Sequence, residues 1–248
     1  MSNVKQPDID GYKNDNALPA DELRTPTTVM LPDVRSSHFQ GSDIQIMHKR
    51  VSEFSLADVV PKEIHTQYDT ARNLYLHAYY VYRFYNVAQQ HLYGVLELAI
   101  RTAVGEVELG RYQKQQKKQG KRFGRGLSLC LHYLTEHNLI VDEDFPRWHH
   151  NQLTAKEHAY RIHIVSKMKE QNLSEYAWDE DECNAMDVEH SWSLVDTLCE
   201  CLPKIRNNFA HGSTSLYNSV MGDFEDVSVI INQVYERTQS SKPKSNNT

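Results

Sequence analysis

Leu202-Pro203-Lys204-Ile205-Arg206-Asn207-Asn208-Phe209-Ala210-His211-Gly212 closes the most regular apolar pattern in the chain. Upstream, Trp192, Val195, Leu198, Cys199 and Leu202 run on into Ile205 and Phe209 at intervals of three and four, the spacing that lines up side chains on one face of an α-helix. Gly212 then supplies a residue suited to a left-handed helix stop. Arg206, Asn207 and His211 lie off that stripe. Asn207 and His211 are four residues apart and share a face, and Arg206 is turned from them by about 100°, within reach of its long side chain. An arginine, an amide and an imidazole therefore meet at one helix end.

Two readings follow from those groups. Arginine and histidine at a helix C-terminus commonly serve as caps for free carbonyls, and spacing alone favours that role. The same trio also suits phosphodiester chemistry in RNA. A guanidinium holds a phosphate by two hydrogen bonds, and an imidazole of near-neutral pKa moves the proton of a 2′-hydroxyl or a leaving oxygen. The negative end of the helix dipole favours a protonated histidine, and so favours acid or phosphate-binding duty for His211.

Arg206-Asn207, three further residues and His211 form an Arg-x4-His motif late in a helix-rich chain, and this resembles the signature of the HEPN superfamily. The likeness spans about residues 70 to 237. It implies an all-α, HEPN-like helical bundle, to which the first sixty residues, outside the likeness, add an extended N-terminal arm. It also implies a metal-independent endoribonuclease with no cofactor, acting as a toxin or antiviral defence effector, with RNA as substrate and an antitoxin or activator protein as partner. Arg206 and His211 would be the catalytic pair and Asn207 their assistant. The stretch Leu96 to Arg101 is similar to the long helix beside the motif helix in several such families, which makes Glu97 a candidate for the cleft. Other members are non-catalytic modules that dimerise or bind a nucleotide or protein. A further family role places a nucleotide-accepting tyrosine two residues after the histidine; here that position is Ser213, and Tyr217 lies six residues on. One motif offers too few groups to hold a phosphate and move protons on both its sides, so a site shared by a homodimer is expected, as the resemblance also implies.

Elsewhere the chain looks like an ordinary globular protein, its 248 residues 40% hydrophobic and its net charge −6. That charge argues against broad duplex binding and leaves room only for local nucleic-acid contacts. No apolar run is long enough for a membrane span, and the acidic start lacks the pattern of a signal peptide, so the cytoplasm is the expected location. Cys130, Cys183, Cys199 and Cys201 show no framework spacing and read as free thiols.

Residues 1–62 carry scattered prolines without helical periodicity and read as an arm, partly ordered or packed on the body; the alternation Ile44, Ile46 suggests a short strand over Ile44 to Val51. The helical domain is expected over 63–238 and a flexible tail over 239–248. Glu63 to Val107 reads as one long helix or two in series, with Val87, Ala88, His91, Val95, Leu98 and Ala99 along an apolar face. Tyr75, Tyr79, Tyr80, Tyr82, Tyr85 and Tyr93 crowd the same segment and are expected in the core or in a dimer contact. Glu97 and Arg101 are set to pair at i,i+4.

Arg111, Lys114, Lys117, Lys118, Lys121, Arg122 and Arg125 follow with no acid among them. With Gly120, Gly124 and Gly126 this stretch reads as a flexible basic loop, either simply solvated or capturing RNA phosphates. Further helices are predicted over Gly126 to Ile140, Pro146 to about residue 171, and Phe224 to Arg237, and Pro203 predicts a kink or fresh start in the motif helix. Four histidines in the second of these, His149, His150, His158 and His163, lack metal-ligand spacing.

Overall fold

The computed structural model describes residues 21–36, 43–188, 192–210, 216 and 218–240; His211, Gly212, Ser213, Tyr217 and the stretch 241–248 lie outside them. The described chain is all-α: α1 (Ile44–Ser52), α2 (Lys62–His77), α3 (Phe84–Val104), α4 (Glu106–Lys118), α5 (Leu127–Glu136), α6 (Pro146–Gln171), α7 (Glu180–Asn184), α8 (Leu194–Ala210) and α9 (Met221–Ser240). No strand occurs among the described residues.

The bundle is built around α3, which packs against α2, α4, α5, α8 and α9. Its inner face, Ala88, Leu92, Val95, Leu96 and Ala99, is fully buried. Against it α9 sets Phe224, Val227, Ile231 and Val234, again at intervals of three and four. Phe224 is the hub: Tyr68 and Tyr75 both meet its ring edge-on at 5.8 Å. Tyr85 in turn packs edge-on against Tyr75 and Tyr82. Tyr68, Tyr75, Tyr82 and Tyr85 thus form an aromatic core layer with Phe224. Tyr75, Tyr82, Tyr85 and Tyr93 are buried within the chain and so leave little area for an interface with another copy.

Two helices in series occupy the long periodic stretch, and their break at residues 78–83 contains neither glycine nor proline. It is fixed from outside. The Asp33 N–H donates to the Tyr79 carbonyl (3.0 Å), the Tyr82 N–H donates to Asp33 Oδ2 (3.2 Å), and Arg24 donates to the Tyr80 carbonyl (2.7 Å). Arg35 completes this clamp, with its Nε 2.8 Å from the buried Asp33 carboxylate and its guanidinium over the Tyr82 ring. Two corrections to the sequence reading belong here. Ile44–Ser52 is a helix and not a strand: Asp43 caps it by accepting from the Gln45 N–H, and Met47 and Val51, four apart, are the residues it buries, while Ile46 points outward. The basic stretch is not a loop as far as Lys118, because Glu106 and Glu108 open a helix there, after the left-handed Gly105 (φ 92°) has ended α3.

The motif helix α8 packs on α3 and α5. Val195, Leu198, Cys199 and Leu202 are buried, Ile205 and Phe209 partly so, and Trp192 is exposed. Pro203 lies inside α8, which continues through it to Ala210 without a fresh start. By contrast α6, although 26 residues long, buries only Tyr160, whose ring meets Trp178 edge-on and whose hydroxyl donates to Glu182 (3.1 Å). α9 runs on to Ser240, into the stretch assigned to the tail.

Candidate functional site

Arg206 emerges near the C-terminal end of α8, off the buried stripe, where it meets the outer face of α3. Its Nη2 lies 3.5 Å from Glu97 Oε2, while the other carboxylate oxygen, Oε1, takes Arg101 Nε at 3.1 Å. One carboxylate therefore holds two guanidinium groups. Glu97 is well shielded, with 16% of its side chain exposed, whereas Arg206 keeps 41%. The arrangement tethers the arginine without covering it, so a phosphate can still reach its free N–H groups. Glu97, the candidate that the resemblance set beside the cleft, touches the motif arginine, and Arg101 also pairs with Glu106 at 2.6 Å.

Arg206 forms one end of a cleft of about 500 Å³. Its floor is the outer face of α3, where Val87, His91, Gly94 and Leu98 follow one another at helical spacing, and Gln67 of α2 stands on the far wall. Val87 and Leu98 are 42% and 44% exposed, an unusual openness for apolar residues on the central helix. The sequence reading placed Val87, His91 and Leu98 on one face with Ala88, Val95 and Ala99; they form two stripes, and only the second enters the core. Asn207 is exposed on α8, with no side-chain hydrogen bond among the described residues, and His211 lies outside them.

The basic segment divides. Lys114 and Lys117 on α4 join Lys121, Arg122 and Phe123 around a second groove of about 380 Å³. Arg111 pairs with Glu108 (3.2 Å), Lys118 is exposed, and the Arg125 carbonyl accepts from Arg101. Through Arg101 the end of this segment is joined to Glu97, and so to the arginine of the motif. Were RNA phosphates held at this groove, charge reversal at Lys117, Lys118 and Lys121 would weaken the association and lower the slope of log affinity against log salt by about 2, at roughly 0.7 per lost single-strand phosphate contact. Filter binding over a salt series checks this, and an unchanged slope would assign the groove to solvent alone.

Among the described residues no group of three or more His, Cys, Asp or Glu side chains is placed to hold a metal ion. Cys130, Cys183 and Cys199 are buried and Cys201 is exposed, all as free thiols. Burial pushes the Cys130 thiol up to about 11, which makes it a poor nucleophile. No helix among the described residues is long and apolar enough to cross a membrane. Comparison of the chain with protein-family models, curated proteins and solved structures finds no match.

Proposed function

We propose that the chain is a HEPN-type, metal-independent endoribonuclease whose reaction centre is the Arg206 end of α8. The observation that carries this reading is a half-exposed arginine, tethered by a shielded carboxylate, at the mouth of a nucleotide-sized cleft. Arg206 binds the non-bridging phosphate oxygens and offsets the charge that grows on them. The 2′-oxygen attacks the adjacent phosphorus, and the bond to the 5′-oxygen breaks. A proton leaves the 2′-hydroxyl and one reaches the departing 5′-oxygen, His211 moving one of them. The products are a 2′,3′-cyclic phosphate and a 5′-hydroxyl. Asn207 orients the phosphate or the imidazole. Two motifs facing each other in a homodimer would supply both protons' carriers, and light scattering at micromolar concentration is expected to give twice the chain mass; a monomer cleaving at full rate would remove the shared site. A toxin or antiviral defence role, with an antitoxin or activator protein, belongs to the same reading.

The test is incubation of purified protein with total or transfer RNA in EDTA, followed by mapping of the ends. Cyclic phosphate and 5′-hydroxyl ends absent from a His211→Ala control are the expected result. RNA left whole, or ends of another chemistry, would favour the second reading, a non-catalytic module that dimerises or binds a nucleotide or protein. The Glu97–Arg206 pair is what favours that alternative, since it would equally serve as a structural tie between α3 and α8.

A further inference from the structure

The cleft beside Arg206 contains two features that the packing of the chain does not require. His91 Nε2 is buried and has no hydrogen-bond partner among the described residues. A buried ring nitrogen left without a partner is costly, and because the His91 side chain lines the recess, a turn of its ring brings that nitrogen to an occupant that supplies the bond. Gly94 stands in the middle of the 21-residue α3, where glycine weakens a helix relative to alanine, yet a Cβ built there meets nothing within 4 Å. No neighbour among the described residues demands its small size. A group from outside lying close to the helix backbone would.

The lining describes that group. Val87 and Leu98 are apolar and exposed, suited to the face of a flat ring. Gln67 and Gln90 bring amides, each both donor and acceptor, which is what reading the edge of a nucleobase needs. The guanidinium of Arg206 at one end matches a phosphate, and about 500 Å³ is room for a nucleotide. A second copy of the chain would be met by a more apolar face than one holding two amides, an imidazole and a guanidinium. Resting on the assignment of Arg206 as the phosphate-binding group, we infer that the α3 recess at His91 and Gly94 is a nucleoside subsite, which holds the base next to the phosphate at Arg206 and sets which nucleotide the protein prefers.

Binding tests this without any cleavage step. Nucleoside 5′-monophosphates, ribose 5-phosphate and inorganic phosphate are titrated calorimetrically into the full chain, its Gly94→Leu variant and its His91→Phe variant. At least one nucleotide is expected to bind about tenfold or more tighter than ribose 5-phosphate, the gain contributed by the base. Gly94→Leu fills the recess and should erase that gain while leaving inorganic phosphate affinity unchanged; because the added side chain begins in open space on a helix, the variant should stay folded. His91→Phe keeps the ring and loses its nitrogens, and should change which base is preferred. Equal binding of nucleotide and ribose 5-phosphate by the wild type would overturn the subsite. So would a Gly94→Leu variant that keeps the nucleotide gain, or one that only changes the oligomeric mass, since the recess would then hold a second copy. Recess-dependent nucleotide binding by a chain that cleaves no RNA would uphold the subsite and remove the nuclease reading. RNA cleavage by Gly94→Leu with unchanged base preference would do the reverse.

Discussion

Arg206→Ala and His211→Ala are each expected to lower RNA cleavage by at least about 100-fold, the scale of losing a positioned acid–base group or a charge-stabilising donor. The fold should be nearly untouched by the first. Arg206 lies off the buried stripe, its side chain is 41% exposed, and its only ion-pair partner among the described residues, Glu97, retains Arg101 when Arg206 is removed. A partly exposed pair of this kind contributes about 1 kcal/mol or less. Leu198→Ala, on the buried face of the same helix, supplies the scale for a structural loss at about 2 to 5 kcal/mol. Urea unfolding of the variants beside the cleavage assay separates the two. An Arg206→Ala variant as unstable as Leu198→Ala would make the arginine a structural tie.

The second large effect concerns pH. Asp226 is buried on α9, with Oδ2 2.7 Å from Arg147 Nη1 and Oδ1 without a partner among the described residues. Burial pushes its carboxyl up to about 6; Arg147 opposes the shift, and the carboxylate of Asp223 adds to it. The folded chain therefore holds the proton more tightly than the unfolded one. The stability this contributes is fully present below the ordinary value of 3.8 and is lost as pH rises through about 6. The separation between 3.8 and about 6 corresponds to about 3 kcal/mol. Relative to wild type, Asp226→Asn should gain about that much stability between pH 4 and pH 7.5, read from urea melts of both proteins across the range. A difference between them that stays constant, or that shrinks as pH rises, would contradict the buried, proton-holding carboxyl.

The helices were legible wherever burial follows a single stripe. Val195, Leu198 and Leu202 announce α8, Val227, Ile231 and Val234 announce α9, and Pro146 marks the start of α6. The break between α2 and α3 was not legible, because Asp33 and Arg24 impose it from far upstream and the local residues are aromatic rather than glycine or proline. α1 was missed because Ile44 and Ile46 mimic a strand, while the deciding pair, Met47 and Val51, is spaced for a helix. α4 was missed because its lysines run on toward Gly120, Gly124 and Gly126, which looked like a loop; the two glutamates that open it were the overlooked signal. At the site, Glu97 was singled out by the resemblance alone, and its pairing with Arg206 could not be read from the sequence. His91 was absorbed into an apolar stripe, since a sequence does not say which of two adjacent faces of a central helix is covered.

The proposed chemistry depends on one atom, the 2′-oxygen of the nucleotide whose phosphate Arg206 holds. The most direct measurement is single-turnover cleavage in EDTA of an RNA cut by the wild-type chain, compared with the same RNA carrying 2′-deoxyribose at the nucleotide preceding the cut. The account predicts cutting of the all-ribose strand, with a cyclic phosphate end, and no cut at the deoxy position. Equal cleavage of both strands would contradict it.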